Sequence, residues 1–259
     1  MINLLSGILL LLLLIIGGKR GLKTFLTIYI NLLLVLLLVV LCGWGFNPLI
    51  VTLLISLLII LLVLFFLNGI NLKTICSLIS VFIIVTIFLL VTVLINNRIY
   101  IQGYTEENIE AISYVAYDTG LDMMKVATSI VLIGLIGNVI DTSIAISSAL
   151  YEVHVNNPKL SKKELFISGM NIGKDILGTT TNTLFFAYLG SCMTLFIYFL
   201  DYKYSFATII NSKIFATEFT RIIISGIASF LIIPLTALIV SIACKREGKY
   251  EKIKNRIWR

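Results

Sequence analysis

GLIGNVIDTSIAISSAL, residues 134–150, is a run of apolar and small residues with one ionisable side chain, Asp141, near its middle. A second stretch, GKDILGTTTNTLFFAYLG at 173–190, has Asp175 near its start and carries a similar mixture of Gly, Thr and Asn. Each belongs to an apolar segment long enough to cross hydrocarbon as a helix, since about 20 residues span a core of about 30 Å. A carboxylate there costs about 2.5 kcal/mol or more even on lenient insertion scales, so such residues face a bundle interior or a water-filled cavity. The two stretches thus decide the fold class, an all-α polytopic membrane bundle, and mark where function is expected.

Outside them the chain is more apolar still. Of 259 residues, 59% are hydrophobic and 13% charged, and the mean hydropathy is +1.07, a balance foreign to soluble domains. Apolar runs at 2–18, 24–42, 49–67, 74–95, 126–150, 176–200 and 222–244 predict seven spans. The expected organisation is four apolar spans over 1–95, an outer loop at 96–125, three spans bearing the polar motifs over 126–244 with a cytoplasmic loop at 151–175, and a basic cytoplasmic tail at 245–259. GGKRGLK, not a small-residue cleavage site, ends the first run, and no basic residue precedes it. The run is expected to be an uncleaved anchor.

The net charge of +7 is not spread in the manner of a nucleic-acid surface. Lys19, Arg20 and Lys23 follow the first run, Lys73 follows the third, and Lys159, Lys162, Lys163 and Lys174 follow the fifth. Seven basic and two acidic residues fill the stretch from Lys245 to Arg259, whereas 96–125 has five acidic and two basic. With seven spans, every basic segment falls on one side. The positive-inside rule then puts the N-terminus outside and the tail in the cytoplasm, resting on anionic lipid. In the outer loop, Thr105 and Gly120 suit the ends of an amphipathic helix. On the cytoplasmic side, Ser161 and Glu164 form an S-x-x-E capping box, which starts a helix that Gly169 and Gly173 are expected to interrupt.

The first four spans are nearly featureless apart from Asn31. In the fifth, Gly134, Asn138, Asp141, Ala145 and Ser148 fall along one helical stripe; in the sixth, Asp175, Thr179, Asn182 and Phe186 do the same. Counted from the cytoplasmic ends of their spans at 1.5 Å per residue, Asp141, Asn182 and Asn31 come to a shared depth of roughly 10 Å. Asn138, Asn182 and Lys174 are the candidate partners of Asp141. Gly134, Gly137, Gly169, Gly173 and Gly178 are expected to serve close packing or hinging, and Thr180, Thr181, Thr183, Ser143 and Ser147 helix contacts. Cys42, Cys76, Cys192 and Cys244 lack metal-site or redox spacing, and the single His154 stands apart from the polar layer. No metal or cofactor is expected.

Four stretches carry a family resemblance: GGKRGLKTFLTIYINLL at 17–33, WGFNP at 44–48, GNVIDTSIAISSALYEV at 137–153 and SGMNIGKDILGTTTNTLFFAYLGS at 168–191. Together they resemble the YibE/YibF-like family of bacterial membrane proteins, in its shorter YibF-type form. The resemblance is most specific over 134–191. It implies a multi-spanning protein of the bacterial cytoplasmic membrane, working beside a YibE-type companion or as a homo-oligomer. It maps the family's polar motif onto Gly137, Asp141, Gly173, Asp175, Gly178, Thr179, Asn182 and Thr183, and supplies no substrate.

Two functional classes compete. A permease or transporter subunit needs an intramembrane polar site and glycines that let helices move; Asp141 would bind a cation or proton, with Asn138, Asn182, Thr179, Asp175 and Asn31 as further ligands. The alternative is a non-transporting scaffold whose small-residue spans dock on a companion. An enzyme is not expected. Asp175 lies about seven residues, roughly 10 Å, shallower than Asp141, too far for a shared-proton dyad. GMNIGKD has three residues between its glycines and Asp after Lys, so it is not a phosphate-binding loop.

Overall fold

A computed structural model describes residues 1–99 and 122–257. The outer-loop helix expected at 105–120 lies outside the described residues. The described elements are helices: α1 (Ile2–Gly43), α2 (Pro48–Leu61) running into a π-helical turn (Leu62–Phe66), α3 (Leu72–Ile99), α4 (Met123–Asn156), α5 (Lys162–Ser191), α6 (Met193–Asp201), α7 (Phe206–Asn211) and α8 (Lys213–Ile257).

Local chemistry sets their ends. Gly18 has φ 51° and ψ −129°, open chiefly to glycine, and there α1 doubles back on itself. Ser6 Oγ and Tyr29 Oη lie 2.6 Å apart although 23 residues separate them, a distance that a straight helix would stretch to about 35 Å. Gly21 closes this turn, because a Cβ at that position would overlap the Leu13 carbonyl. The GGKRG sequence is thus a reversal between two antiparallel arms. WGFNP makes the next turn: Gly45 takes φ 85°, Asn47 accepts from the Leu49 amide at 3.1 Å, and Pro48 opens α2 where its missing N–H costs nothing. At the far end of α2, Asn68 donates to the Val63 carbonyl at 3.4 Å, occupying an acceptor in the π-helical turn.

Among the described residues, five helices are long and apolar enough to cross a membrane: Leu4–Gly43, Pro48–Phe66, Leu72–Asn96, Met123–Asn156 and Lys213–Lys245. A sixth arises if α5 and α6, bent by 45° at Cys192, count as one. This is a membrane-embedded, all-helical chain.

Helix α4 is the hub, packing against α2, α3, α5 and α8, while α1 packs chiefly on α2. Leu132, Leu135, Ile136, Val139 and Ile140 of α4 are fully buried with Ile60, Val81 and Ile232 of its neighbours. Small polar groups stitch the same faces together. Asn138 donates to Ser229, Ser143 meets Thr236 at 3.1 Å, Asn96 donates to Thr128 at 2.7 Å, and Ser147 donates to the Lys73 carbonyl at 2.7 Å. Such bonds are worth about 0.6 kcal/mol each inside membranes. The four cysteines are buried, each on a different part of the chain.

The basic segments gather at one end. Lys73 at the start of α3 pairs with Glu152 near the end of α4 at 2.7 Å. Lys245 donates to the Pro158 carbonyl at 2.9 Å, tying α8 to the α4–α5 connection.

Two expectations are corrected. The segment 151–175 is not a loop: α4 continues to Asn156, α5 begins at Lys162, and only 157–161 connects them. Nor do Gly169 and Gly173 interrupt α5, which is continuous from Lys162 to Ser191. Both glycines lie against α8, where a Cβ at Gly169 would come within 2.8 Å of Ala237 Cβ, and one at Gly173 would overlap the Ile233 side chain. They are contact points that keep the helix pressed to its neighbour, so the break falls later, at Cys192. The capping box forms as read, with Ser161 N donating to Glu164 Oε2 at 2.7 Å and Glu164 N to Ser161 Oγ at 3.2 Å.

Candidate functional site

Three faces of α4 are consumed by its neighbours and one is not. Gly134, Gly137, Asp141 and Ala145 are exposed at successive turns of an otherwise buried helix. Asn138, at the edge of this stripe, is drawn inward to Ser229. Asp141 itself has no hydrogen bond or ion pair among the described residues, so neither Asn138, Asn182 nor Lys174 pairs with it.

α5 also turns an unconsumed face outward. Asp175, Gly178, Thr179, Asn182, Thr183 and Phe186 are exposed, while Ile176, Leu177 and Tyr188 pack inward. The hydroxyls of Thr179 and Thr183 bond back to the Ile176 and Thr179 carbonyls at 2.9 and 3.0 Å, which quiets their donors but leaves lone pairs available.

Register between the two helices follows from two contacts. Gly169 lies against Leu150, and Gly134 against the Tyr188 hydroxyl. Stepping nine residues from Leu150 to Asp141 corresponds to stepping from Gly169 to Gly178; stepping seven from Gly134 corresponds to moving back from Tyr188 to Thr181. Asp141 is therefore level with the Gly178–Thr181 turn, at the depth of Thr179 and within about one residue of that of Asn182. Asp175 falls at least about 4 Å shallower along the axis.

The structure does not bring Asn31 into this group by packing. It lies on the second arm of α1, which rests on α2, and its side-chain oxygen is buried with no hydrogen-bond partner. The glycines expected to act alike divide into three kinds. Gly169 and Gly173 make tight contacts, Gly134 makes ordinary ones, and Gly137 and Gly178 have nothing within 4 Å of a would-be Cβ.

Sequence reading missed one ionic feature. α8 begins at Lys213, nine residues before the expected span, and carries Arg221 paired to Glu218 at 2.8 Å. The pair is about one-fifth exposed on each side, and Arg221 lies beside Gly134 at the start of the α4 stripe. The signal was present: an acid and a base three apart, preceded by Ser212, whose hydroxyl accepts from Phe215 N at 3.4 Å, spell a capped helix start upstream of the apolar run.

A polytopic bundle of apolar helices, with a polar stripe on its central member, defines an integral membrane protein. The model of the YibE/F-like protein family matches residues 5–246. The chain belongs to that family. Comparisons with curated proteins and with solved structures return no match.

Proposed function

We propose that this chain is a subunit of a permease or transporter for a small solute or ion, with Asp141 as the charged group of its pathway. The observation that carries the reading is the position of that carboxylate: on the open stripe of the most buried helix, with no hydrogen bond or ion pair among the described residues, and level with Thr179 and Asn182. A carboxylate facing hydrocarbon is untenable, so the stripe faces water or another protein. Thr179 and Asn182 offer oxygens at the same depth for a cation released from water.

The proposed topology has seven spans. The Gly18 reversal makes α1 two spans, and α5 with α6 makes one bent span. Gathering of the basic segments at one end of the bundle supports a cytoplasmic assignment for that end, with the N-terminus outside and the tail inside the cell, in the bacterial cytoplasmic membrane. No enzymatic reaction and no cofactor are part of the proposal. The open faces of α4 and α5 are completed by a YibE-type companion or by a second copy.

A second reading, a non-transporting scaffold, is favoured by Gly137 and Gly178. Both lie in open space and would let a partner helix approach closely. One experiment separates the two: ion and proton flux into liposomes containing the purified protein, wild type against Asp141→Asn, with protein level monitored in the membrane. The transport reading predicts flux in the wild type and at least about a tenfold loss in the variant, the equivalent of about 1.4 kcal/mol, at unchanged protein level. Absence of flux from both would favour the scaffold or an obligate companion, and absence of flux again after reconstitution with the captured companion would leave the scaffold.

A further inference from the structure

The basic end of the bundle holds an open pocket of about 660 Å³, which α4 lines from Ile144, one turn along from Asp141. Lys19, Arg20 and Lys23 reach it from the α1 reversal and its following turn, and Lys73 from the first turn of α3; Ser148, two turns along α4 from Asp141, forms part of another wall. No carboxylate is among its lining residues. Among the described residues, Lys73 alone of these cations has an acidic partner, Glu152, and it also lies 4.9 Å from the centre of the Tyr151 ring. Arg20 is held by a neutral group, donating to Asn68 Oδ1 at 3.0 Å, and Lys23 lies 5.6 Å from the centre of the Phe66 ring.

Topology alone does not require this arrangement. Positive charges that only orient a chain serve as well when splayed apart in water, and like charges gathered around one hollow repel. Here cations from segments about 50 residues apart in sequence converge on one space, beside the positive end of the α3 dipole. Arg20 supplies a planar fork of donors suited to phosphate oxygens, and Lys19 and Lys23 supply point charges. The volume falls within the range of ligand pockets, about 300–1,000 Å³, and well beyond a bare oxyanion.

The geometry points to a binding site for a phosphate group carried on a larger body, held by Arg20, Lys19 and Lys23. That body is either an anionic phospholipid or a soluble phosphate compound. The inference does not depend on Asp141 and survives failure of the transport reading.

The test uses the purified protein in two settings. In nanodiscs of phosphatidylcholine alone, inorganic pyrophosphate is titrated at physiological salt and binding read by calorimetry. In nanodiscs that also contain phosphatidylglycerol, retained lipid is counted by native mass spectrometry. Wild type is compared with Arg20→Gln/Lys19→Gln, with the single variant Lys19→Gln in case the double variant misfolds, and with Lys163→Gln as a basic residue outside the cavity. A soluble source predicts pyrophosphate binding that weakens about tenfold for each charge-assisted hydrogen bond removed. A lipid source predicts one retained phosphatidylglycerol that the cavity variants lose. Lys163→Gln should alter neither. The inference is overturned if the wild type holds neither anion, or if Lys163→Gln weakens binding as much as the cavity variants do.

Discussion

Gly173 and Gly178 are five residues apart on α5 and meet opposite surroundings. A methyl at Gly173 would overlap the Ile233 side chain, whereas one at Gly178 would meet nothing within 4 Å. Ile233 is β-branched and cannot swing clear, so Gly173→Ala is expected to destabilise by about 1–3 kcal/mol, as over-packing does. Gly178→Ala should be neutral or stabilise by up to about 1 kcal/mol through helix propensity. Thermal unfolding in detergent reads both, and Ile233→Ala should cost less in the Gly173→Ala background than in the wild type. Equal effects at the two glycines would contradict the packing described. The sequence offered no means of separating them, because residue type alone says a glycine is small and not what lies against it. Asp141 was legible as an isolated carboxylate in a span, and its depth relative to Asn182 was legible from residue counting. That its stripe is the open one depends on where α2, α3, α5 and α8 sit, which no local pattern encodes.

Among the elements, helix ends with side-chain caps were the most readable. Ser161 and Glu164 close the N-terminus of α5 as reciprocal partners, and Ser161→Ala is expected to cost about 1 kcal/mol, with faster amide exchange confined to the first turn. Unchanged exchange at Glu164 and Leu165 would show that the cap is dispensable. At the start of α4, Asp122 accepts from Met124 N at 3.1 Å, and its hydrogen bond to Lys125 holds its carboxyl below the usual range. Interior breaks were read less well. Glycines at 169 and 173 suggested an interruption because glycine lowers helix propensity, but tertiary contact with α8 outweighed that preference, and the bend went to Cys192. Gly18, by contrast, does break α1, where both neighbouring apolar runs already ended in GGKRG. The apolar run at 222–244 falls inside α8 but gave no warning that the helix starts at Lys213, since charged turns contribute nothing to hydropathy.

At the scale of the whole molecule, burial is unevenly shared. α4 sits among four helices while both arms of α1 stay largely exposed, so α4 holds the bundle together and α1 lies at its margin. Apolar content revealed that the chain enters a membrane; it could not rank the spans by centrality, because lipid-facing and buried positions use the same Leu, Ile and Val. Polar composition helped only in part: Ser, Thr and Asn bond across the α3, α4 and α8 contacts, but those of α5 lie on its open face. The central claim is that the Asp141 stripe faces a water-filled path. It is tested most directly by replacing Asp141 with cysteine and labelling the protein in sealed vesicles with a charged, membrane-impermeant thiol reagent. Lys159→Cys and Lys203→Cys serve as markers of the two ends, and Leu36→Cys as a lipid-facing control; the native cysteines are all buried. The account predicts that Asp141→Cys reacts at a rate within about tenfold of the end marker that the reagent reaches, the reactive species being a thiolate that needs water around it. Reaction as slow as at Leu36→Cys would contradict it.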